Sequence, residues 1–263
     1  MRPYSAKITF SRNSRGVYSI DPSIGCASGM HNNANGCYGD CYAARSAKIY
    51  GYDFRSTVYR DFVSDNQLEL IKRKIDRIEM PFIRMGTMGD PSENWSHTLT
   101  VCEKLQNDIQ LPLFIQQKKE IVIITKHWIN MEDEHLERLS KLKICINTSI
   151  SALDNADIIK NSLSQYERVK PFCRSVLRVV TCDFNKAHPD GYRYSEIQSD
   201  IINGREYIDT VFRPSKNNDL VCNGIIHVKS KRFIRGKQLM SKLNKRTYLG
   251  KCENCKEMCG VNL

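Results

Sequence analysis

The stretch IVIIT at 121–125 is an apolar run of mostly β-branched residues, and a longer run, KICINTSI, follows at 143–150. Short apolar runs bounded by polar residues are typical of buried strands. Between the two, Leu136, Leu139 and Leu142 recur at intervals of three, which places them on one face of a helix. Strand, helix and strand in this order predict a β/α unit.

The same alternation extends over most of the chain. Further runs of this kind predict strands at 17–20, 81–85, 176–182, 207–212 and 224–228, and helical patterns occur at Leu68, Ile71, Ile75 and Ile78 and at Ile197, Ile201 and Ile202. Repeated strand and helix imply a parallel sheet with right-handed crossovers. The sequence therefore predicts an α/β fold, a partial or closed TIM-type β/α barrel of about six β/α units with a basic, cysteine-rich C-terminal tail. A doubly wound open sheet is the main alternative.

The chain length is sufficient for one full core, since α/β barrels of about 250 residues form single domains. We expect a barrel domain over 1–228, with 229–263 forming a basic segment and a cysteine group that pack on the barrel or extend from it. No run of about 18 apolar residues and no apolar N-terminal signal is present. We therefore expect a soluble, cytoplasmic protein without a membrane partner.

The charge balance favours an anionic partner. The chain has 40 Lys and Arg against 29 Asp and Glu, a net charge of +11, which suggests nucleic acid first. Eight of the basic residues lie in the segment 229–246, which contains no acidic residue. This segment is either a nucleic-acid contact or a solvated basic helix. Glycine-rich phosphate loops of the GxGxxG and GxxxxGK[ST] types are absent from the sequence.

Eleven cysteines, an odd number, favour metal or cluster binding over disulfides in a reducing compartment. Cys26, Cys37 and Cys41 lie in one loop directly after the first predicted strand, and His31 within the loop is a possible substitute ligand. Three close thiolates with no fourth cysteine nearby in sequence suit an iron–sulfur cluster that leaves one iron open, because thiolates are the preferred ligands of such clusters. The loop predicts a cluster site at the carboxyl end of a strand.

The loop ends in the motif Cys37-Tyr38-Gly39-Asp40-Cys41-Tyr42-Ala43. It resembles the radical S-adenosylmethionine superfamily, in which three loop cysteines after the first strand hold a [4Fe-4S] cluster. That superfamily usually separates its cysteines by three and then two residues, whereas this loop has ten and three. The loop is more similar to phage-encoded iron–sulfur proteins of the radical-SAM-like type, whose wider loop ends in Cys-x-x-x-Cys-Tyr-Ala. Segments 83–90, 124–126, 146–149 and 177–181 extend the likeness over most of the chain.

The resemblance implies a [4Fe-4S] cluster, S-adenosylmethionine as cofactor, an electron donor as partner, and a viral protein working in the host cytoplasm. It also implies that Asp90 contacts the methionine amino group, although the usual Gly-Gly-Glu motif is not present; a turn aspartate is the alternative. Ser149, Ser151 and Arg213 would contact ribose or carboxylate. Trp95 and Trp128 either stack on a base or pack in the core.

A second cysteine group, Cys252-x-x-Cys255-x-x-x-Cys259, ends the chain. It fits a second iron–sulfur cluster or a zinc site, with Cys222 or His227 as a fourth ligand. Alternatively, one of these cysteines completes the first cluster, which would close its open iron.

Three functions remain open from the sequence. The first is a radical-SAM-like enzyme acting on a nucleic acid or nucleotide. The second is an iron–sulfur redox or nucleic-acid-binding protein that does not use S-adenosylmethionine. The third is a zinc protein, which the three-cysteine loop fits less well because structural zinc sites are closed by four ligands.

Overall fold

The computed structural model describes residues 4–13, 15–32, 36–106, 118–212, 214–227, 255 and 258–262. The main sheet in these residues has seven strands: β1 (Phe10–Arg12), β2 (Tyr18–Ile20), β5 (Phe82–Met85), β6 (Glu120–Thr125), β7 (Ile144–Ile150), β8 (Arg174–Thr181) and β9 (Tyr207–Val211). Two further strands, β3 (Ser23–Ile24) and β4 (Val58–Tyr59), pair antiparallel in a small separate sheet.

Helices occupy most of the connections. They are α1 (Ala27–Asn32), α2 (Tyr42–Ile49), α3 (Asp65–Asp76), α4 (Trp95–Gln106), α5 (Asp133–Ser140), α6 (Ala156–Val169), α7 (Pro189–Ile202) and α8 (Asp219–Cys222), with 3-10 turns at Cys37–Gly39, Pro91–Asn94 and Met258–Gly260. Side-chain caps fix several starts: Ser64 accepts from the amide of Gln67 before α3, and Asn155 accepts from Ile158 before α6.

The strand order across the sheet is β1-β2-β5-β6-β7-β8-β9. Only β1 is antiparallel to its neighbour; the six other strands are parallel. The order contains no reversal, so every crossover steps in the same direction and right-handed connections place the helices on one face. A doubly wound sheet instead reverses its order at a switch point. The chain is thus α/β with a mostly parallel central sheet, and closure into a barrel stays a prediction.

Six of the seven predicted strands are confirmed: each run at 17–20, 81–85, 121–125, 143–150, 176–182 and 207–212 contains an observed strand. The predicted helical faces are also found. In α3, Leu68, Ile71 and Ile75 are buried, and Ile78 is buried just beyond the helix. Strand β7 is buried along its whole length, as expected for a central parallel strand.

The predicted strand at 224–228 is wrong. Gly224 turns the chain with a φ of 69° directly after α8, and the amides of Ile225 and Ile226 both donate to the Leu220 carbonyl. These amides are therefore committed to the end of the helix rather than to a neighbouring strand. A single antiparallel bridge joins Ile226 to Phe184, and residue 228 lies outside the described residues.

The end of the chain lies on the sheet. The Asn147 side chain donates to the Cys259 carbonyl at 2.9 Å, and Arg174 donates to the Gly260 carbonyl at 3.4 Å. The basic segment 229–246 and the predicted ligands Arg213 and Cys252 lie outside the described residues. Among the helices that the structure describes, none is long and apolar enough to cross a membrane.

Candidate functional site

The candidate site forms where parallel strands end. Loops at the carboxyl ends of such strands meet at one edge of the sheet, which is where β/α proteins place reactive groups. The cysteine loop is tied to the loop after β5: the Gly25 amide donates to the Met88 carbonyl at 3.0 Å, and a Cβ atom on Gly89 would lie 2.6 Å from the Gly25 carbonyl oxygen. This backbone approach brings the cysteines over the ends of the strands.

Two glycines pack against the three cysteine side chains. A Cβ atom on Gly29 would lie 2.8 Å from the sulfur of Cys26 and 3.6 Å from that of Cys37. Gly36, at a φ of 75°, would place a Cβ atom 2.4 Å from the Cβ of Cys41 and 3.4 Å from its sulfur. Only glycine leaves room for the sulfurs at these two positions. The loop therefore forms a cradle around three thiols that are not in disulfides.

The thiols lie in a shielded environment. Burial raises the pKa of the Cys26 thiol, and the nearby Asp90 carboxylate and Cys37 thiol add to this. Burial also raises the pKa of Cys37 to about 11, against an opposing effect of the Lys126 ammonium. A bound metal deprotonates thiol ligands outright and offsets the cost of burying thiolates. Half-buried thiols that influence each other's ionisation fit a metal cluster.

Within the described residues, no three His, Cys, Asp or Glu side chains are arranged to hold a single metal ion. An iron–sulfur cluster makes a different demand, because each thiolate binds a separate iron and the sulfurs stand further apart than the ligands of one ion. The donor set of Cys26, Cys37 and Cys41 and the glycine cradle fit such a group. His31 lies in α1 with an exposed side chain.

Glu93 is a site residue that the sequence did not suggest. One of its carboxylate oxygens accepts a hydrogen bond from the Ser28 amide at 2.9 Å and lies 3.9 Å from the Cys26 sulfur. Glu93 is in the 3-10 turn that follows β5, and its side chain is half-buried. An acidic group therefore lies next to the first cysteine of the loop.

Asp90 is buried rather than solvated, and most of its acceptor capacity is used. Its Oδ1 accepts from the Ser92 amide at 3.0 Å, the Ser92 hydroxyl at 2.8 Å and the Thr125 hydroxyl at 2.6 Å, while Oδ2 accepts from the Lys126 amide at 2.8 Å. Asp90 thus caps the turn at 91–94 and joins the end of β5 to the end of β6. One oxygen retains spare capacity for a ligand.

A buried polar network borders the cysteines. The Lys126 ammonium donates to both oxygens of Asp154 at 2.7 Å and to the Tyr38 hydroxyl at 2.6 Å, and that hydroxyl donates to Asp154 at 3.0 Å. The side chains of Lys126 and Asp154 are only 9% and 4% exposed. Burial, followed by the Asp154 charge, holds the pKa of Tyr38 well above its ordinary value. Tyr38 follows Cys37 in the chain, so this network anchors the cysteine loop to the ends of β6 and β7.

The predicted ligand residues have different surroundings. Ser149 is a buried residue of β7, in register with Arg178 of β8. The Ser151 hydroxyl donates to the Val180 carbonyl at 2.9 Å and accepts from the Leu153 amide, so it stabilises the turn after β7. Because the Ser151 hydroxyl is engaged in these two backbone contacts, Ser149 is the better candidate of the two serines for contacting a ligand.

The two tryptophans differ in how deeply they are buried. Trp95 is fully buried, with its indole nitrogen donating to the Ile129 carbonyl at 2.7 Å, and it packs against His127. The core reading of Trp95 is therefore confirmed. Trp128 is half-buried, and the Lys126 ammonium lies 5.8 Å from the centre of its ring. Only Trp128 remains near the site.

Of the C-terminal cysteines, Cys259 lies elsewhere on the sheet. Cys259 packs on the apolar core, and its carbonyl is held by Asn147, whose side-chain oxygen lies 3.4 Å from the Cys145 sulfur. Cys145 is the second residue of strand β7, near the amino end of that strand. Cys222 is exposed on α8, where its thiol lies 3.5 Å from the Lys216 carbonyl, and His227 is also exposed.

Lys126, Asp154 and Glu93 were not predicted as site residues. Lys126 directly follows the strand at 121–125, which is a position where site residues are common, and this was the available signal. Glu93 lies three residues beyond the end of the segment 83–90 that carries the resemblance. Asp154 had no signal, because an aspartate beside serine and asparagine is ordinary turn composition.

Searches of protein-family models, curated proteins and solved structures give no match to this chain. The functional argument therefore depends on the residues and their geometry.

Proposed function

We propose that the chain binds a [4Fe-4S] cluster through Cys26, Cys37 and Cys41 and acts as a radical-SAM-like enzyme. The observation that supports this is the glycine cradle, which gathers three unpaired thiols at the carboxyl edge of a six-strand parallel array. In keeping with this, the sheet would curve into a partial barrel around the site.

When bound, a cluster with one open iron supplies a site for the amino and carboxylate groups of S-adenosylmethionine and an electron that breaks its sulfonium bond. The protein's part is to bind, orient and exclude water. Glu93 has the charge and the position to hold an ammonium group beside Cys26, and Asp90 has one oxygen with spare capacity. Ser149 and Arg213 remain proposed contacts for ribose or carboxylate.

The Lys126, Asp154 and Tyr38 network would form one wall of this site. Its three members satisfy one another, so they present a rigid, buried surface rather than a solvated one. The Lys126 ammonium also opposes the rise that burial causes in the pKa of Cys37, and this contribution favours the thiolate that iron binds. A rigid wall next to the cysteines would protect a reactive intermediate from water.

A second candidate is a non-enzymatic iron–sulfur protein, active in redox chemistry or in nucleic-acid binding. One observation favours it. Asp90, the residue expected to bind the cofactor, already accepts four hydrogen bonds from neighbouring residues of the chain. Such a protein would keep the cluster and ignore S-adenosylmethionine.

The C-terminal cysteines belong to a separate proposal. Cys252, Cys255 and Cys259 would hold a second iron–sulfur cluster or a zinc ion, or one of them would complete the first cluster. The Asn147 contact of Cys259 and the contact of Gly260 with Arg174 at the start of β8 favour a separate site over completion of the first, because the cysteine loop lies over the carboxyl ends of the strands. The basic segment 229–246 would contact nucleic acid, and an external electron donor would reduce the cluster.

Anaerobic reconstitution followed by electron paramagnetic resonance of the reduced protein tests the function, with iron and zinc counted in the same sample. We expect a [4Fe-4S] signal that shifts when S-adenosylmethionine is added. Cys37→Ser should lose the signal, whereas the matched variant Cys222→Ser, at an exposed cysteine on α8, should keep it.

Each other outcome has a defined meaning. A signal that does not change with S-adenosylmethionine would favour the non-enzymatic alternative. Zinc without iron, or a signal that survives Cys37→Ser unchanged, would overturn the proposed cluster.

A further inference from the structure

A cavity of about 550 Å³ opens next to Cys41. Its walls include Cys41, Arg45, Lys48, Tyr52, Arg55 and Asn217. A second cavity of about 310 Å³ adjoins it and shares Gly39, Asn217 and Asn218 in its lining. Both are within the size range of ligand sites. Together they form a cleft that passes along the cysteine loop, and we call it the α2 cleft.

The 550 Å³ cavity of the α2 cleft, which lies next to Cys41, carries an excess of positive charge. Arg45 pairs with Asp40 at 3.0 Å, and Arg55 pairs with Asp53 at 3.0 Å. Both guanidinium groups are more than half exposed, so each keeps donors directed toward solvent. Lys48, also exposed, makes no ion pair with any acidic side chain among the described residues. In this cavity three cations against two acids attract an anion, whereas the second cavity adds one acid, Asp219, to its lining.

Aromatic side chains accompany these cations. Tyr52 lines the cleft and stacks on Tyr4, with ring centres 4.4 Å apart and planes 14° from parallel. Tyr42 and Tyr50 lie at the start and just beyond the end of α2, and they are 53% and 64% exposed. Neither of these two tyrosines lines the cleft, so Tyr52 and Phe54 are the aromatic side chains that stand beside the cations in the 550 Å³ cavity. Such interleaving is the pattern by which proteins bind unpaired bases and their phosphates.

Resting on the proposed function of Cys41 as an iron ligand, we infer that the α2 cleft binds single-stranded nucleic acid and leads it to the cluster. Lys48 and Arg55 contact successive phosphates, and Tyr52 stacks on a base. The bases of a duplex are paired and stacked on one another, so they could not stack on Tyr52. An acidic peptide could pair with the cations but has no base to stack on Tyr52. The net charge of +11 supports the same choice.

The test is fluorescence anisotropy of a labelled single-stranded oligonucleotide of mixed sequence, titrated with the reconstituted protein at several salt concentrations. Removing two phosphate contacts in Lys48→Gln/Arg55→Gln should reduce the slope of log K against log salt by about 1.4, since each contact to a single strand contributes about 0.7. Tyr52→Leu should weaken binding roughly tenfold at every salt concentration and leave the slope unchanged.

The control is Arg73→Gln/Lys74→Gln. These two exposed cations lie in the last turn of α3, at the opposite edge of the sheet, and their removal changes the net charge by the same amount. The control should bind as the unmodified protein does. Iron is counted in every sample, so loss of the cluster is recognised separately from loss of binding.

Several results would overturn the α2 cleft as the binding site. These are an equal fall in slope for the control pair, unchanged binding in both cleft variants, equal affinity for the matching duplex, or displacement by polyglutamate as effective as by unlabelled oligonucleotide. Unchanged binding in the cleft variants would assign nucleic acid to the basic segment 229–246. Cleft-dependent binding by a protein without iron would support the cleft and contradict the proposed function.

Discussion

At the scale of single residues, Glu93 is the carboxylate best placed to receive a cationic group beside the cysteines. We predict that Glu93→Gln keeps the hydrogen bond from the Ser28 amide and retains its iron, because the amide oxygen can still accept. It should lose the charge-assisted bond to the amino group of S-adenosylmethionine, worth about 2 kcal/mol, or roughly 30-fold in the Kd. Titrating the cofactor against the electron paramagnetic resonance signal measures this change.

Glu79→Gln serves as the control for Glu93→Gln. Glu79 is an exposed carboxylate just before β5, at the opposite end of that strand, and its replacement removes the same charge. An unchanged cofactor titration in Glu93→Gln, or an equal weakening in Glu79→Gln, would contradict the role of Glu93.

The Lys126–Asp154 pair makes a prediction about stability. Both side chains are almost fully buried, so Lys126→Met leaves the Asp154 charge without its cation and should lower the free energy of unfolding by about 3 kcal/mol. Lys170→Met, which breaks the exposed pair with Glu167, should cost no more than about 0.5 kcal/mol. Urea denaturation midpoints measure both.

The double variant Lys126→Met/Asp154→Leu separates pairing from packing. Removal of both charges should restore part of the stability that Lys126→Met loses. If the double variant is less stable than the unmodified protein by the sum of the two single effects, the two residues are not coupled and the network does not act as described.

Single residues also show where sequence reasoning succeeds and where it ends. The cysteines at 26, 37 and 41 were recognisable because a metal-binding residue type recurs within one short loop. Asp154 joins them through Tyr38, which is 116 positions away along the chain. Only the folded sheet brings such residues together, so their role could not be predicted from local spacing.

At the scale of elements, the cysteine loop depends on glycine. Gly36 and Gly51 have nearly the same φ, 75° and 73°, but a Cβ atom would meet Cys41 at the first and nothing within 4 Å at the second. We predict that Gly36→Ala and Gly51→Ala both lose about 1 kcal/mol of stability from the left-handed backbone. Only Gly36→Ala should also lose iron, because its new Cβ displaces Cys41.

Iron per chain after reconstitution and thermal denaturation of the iron-free chains test this pair. Equal iron content in the two variants would show that the close packing of Gly36 is not needed for the cluster. A loss of iron in Gly51→Ala would show that loop stability, rather than the cradle, determines binding.

The strand predictions succeeded for β6 and β7 and failed at 224–228 for different physical reasons. Central parallel strands such as β6 and β7 are buried on both faces, and only continuous apolar runs meet that requirement. The run at 224–228 is similarly apolar, yet Gly224 turns the chain so that the amides of Ile225 and Ile226 bond back to α8, while the His227 amide donates to the Asp183 carbonyl. Composition specifies burial, while hydrogen bonding to a neighbouring strand decides whether a buried run becomes part of the sheet.

At the scale of the whole molecule, Cys259 and the cysteine loop contact different parts of the sheet. The loop cysteines lie over the carboxyl ends of the strands, while Cys259 lies beside Asn147 and Cys145, nearer the strand starts. Arg174, in the first position of β8, pairs with Glu120 and also holds the end of the chain through the Gly260 carbonyl. The last described residues are therefore held near the amino ends of the strands, whereas the cysteine loop lies over the carboxyl ends.

The stability of the whole molecule should depend on pH through His127. Burial lowers the pKa of His127 to about 3, so the folded protein holds it neutral, with Nε2 bonded to the Thr148 hydroxyl. In the unfolded chain the ordinary pKa of about 6.5 applies, and below it only the unfolded state takes up a proton. The contribution of His127 is therefore complete above about pH 6.5 and is lost at about 1.4 kcal/mol per pH unit as the pH falls toward 3.

His127→Asn isolates this effect, because asparagine also tolerates the left-handed backbone at this position, where φ is 53°. Between about pH 7 and pH 5, the unmodified protein should lose about 2 kcal/mol more stability than the variant. Asp21, buried near Arg84 and Arg60 with a raised pKa, titrates in both proteins and cancels from the comparison. Urea midpoints at the two pH values measure the difference. Parallel losses in the two proteins would show that His127 is protonated in the folded state, which would place water or a proton acceptor at its buried Nδ1.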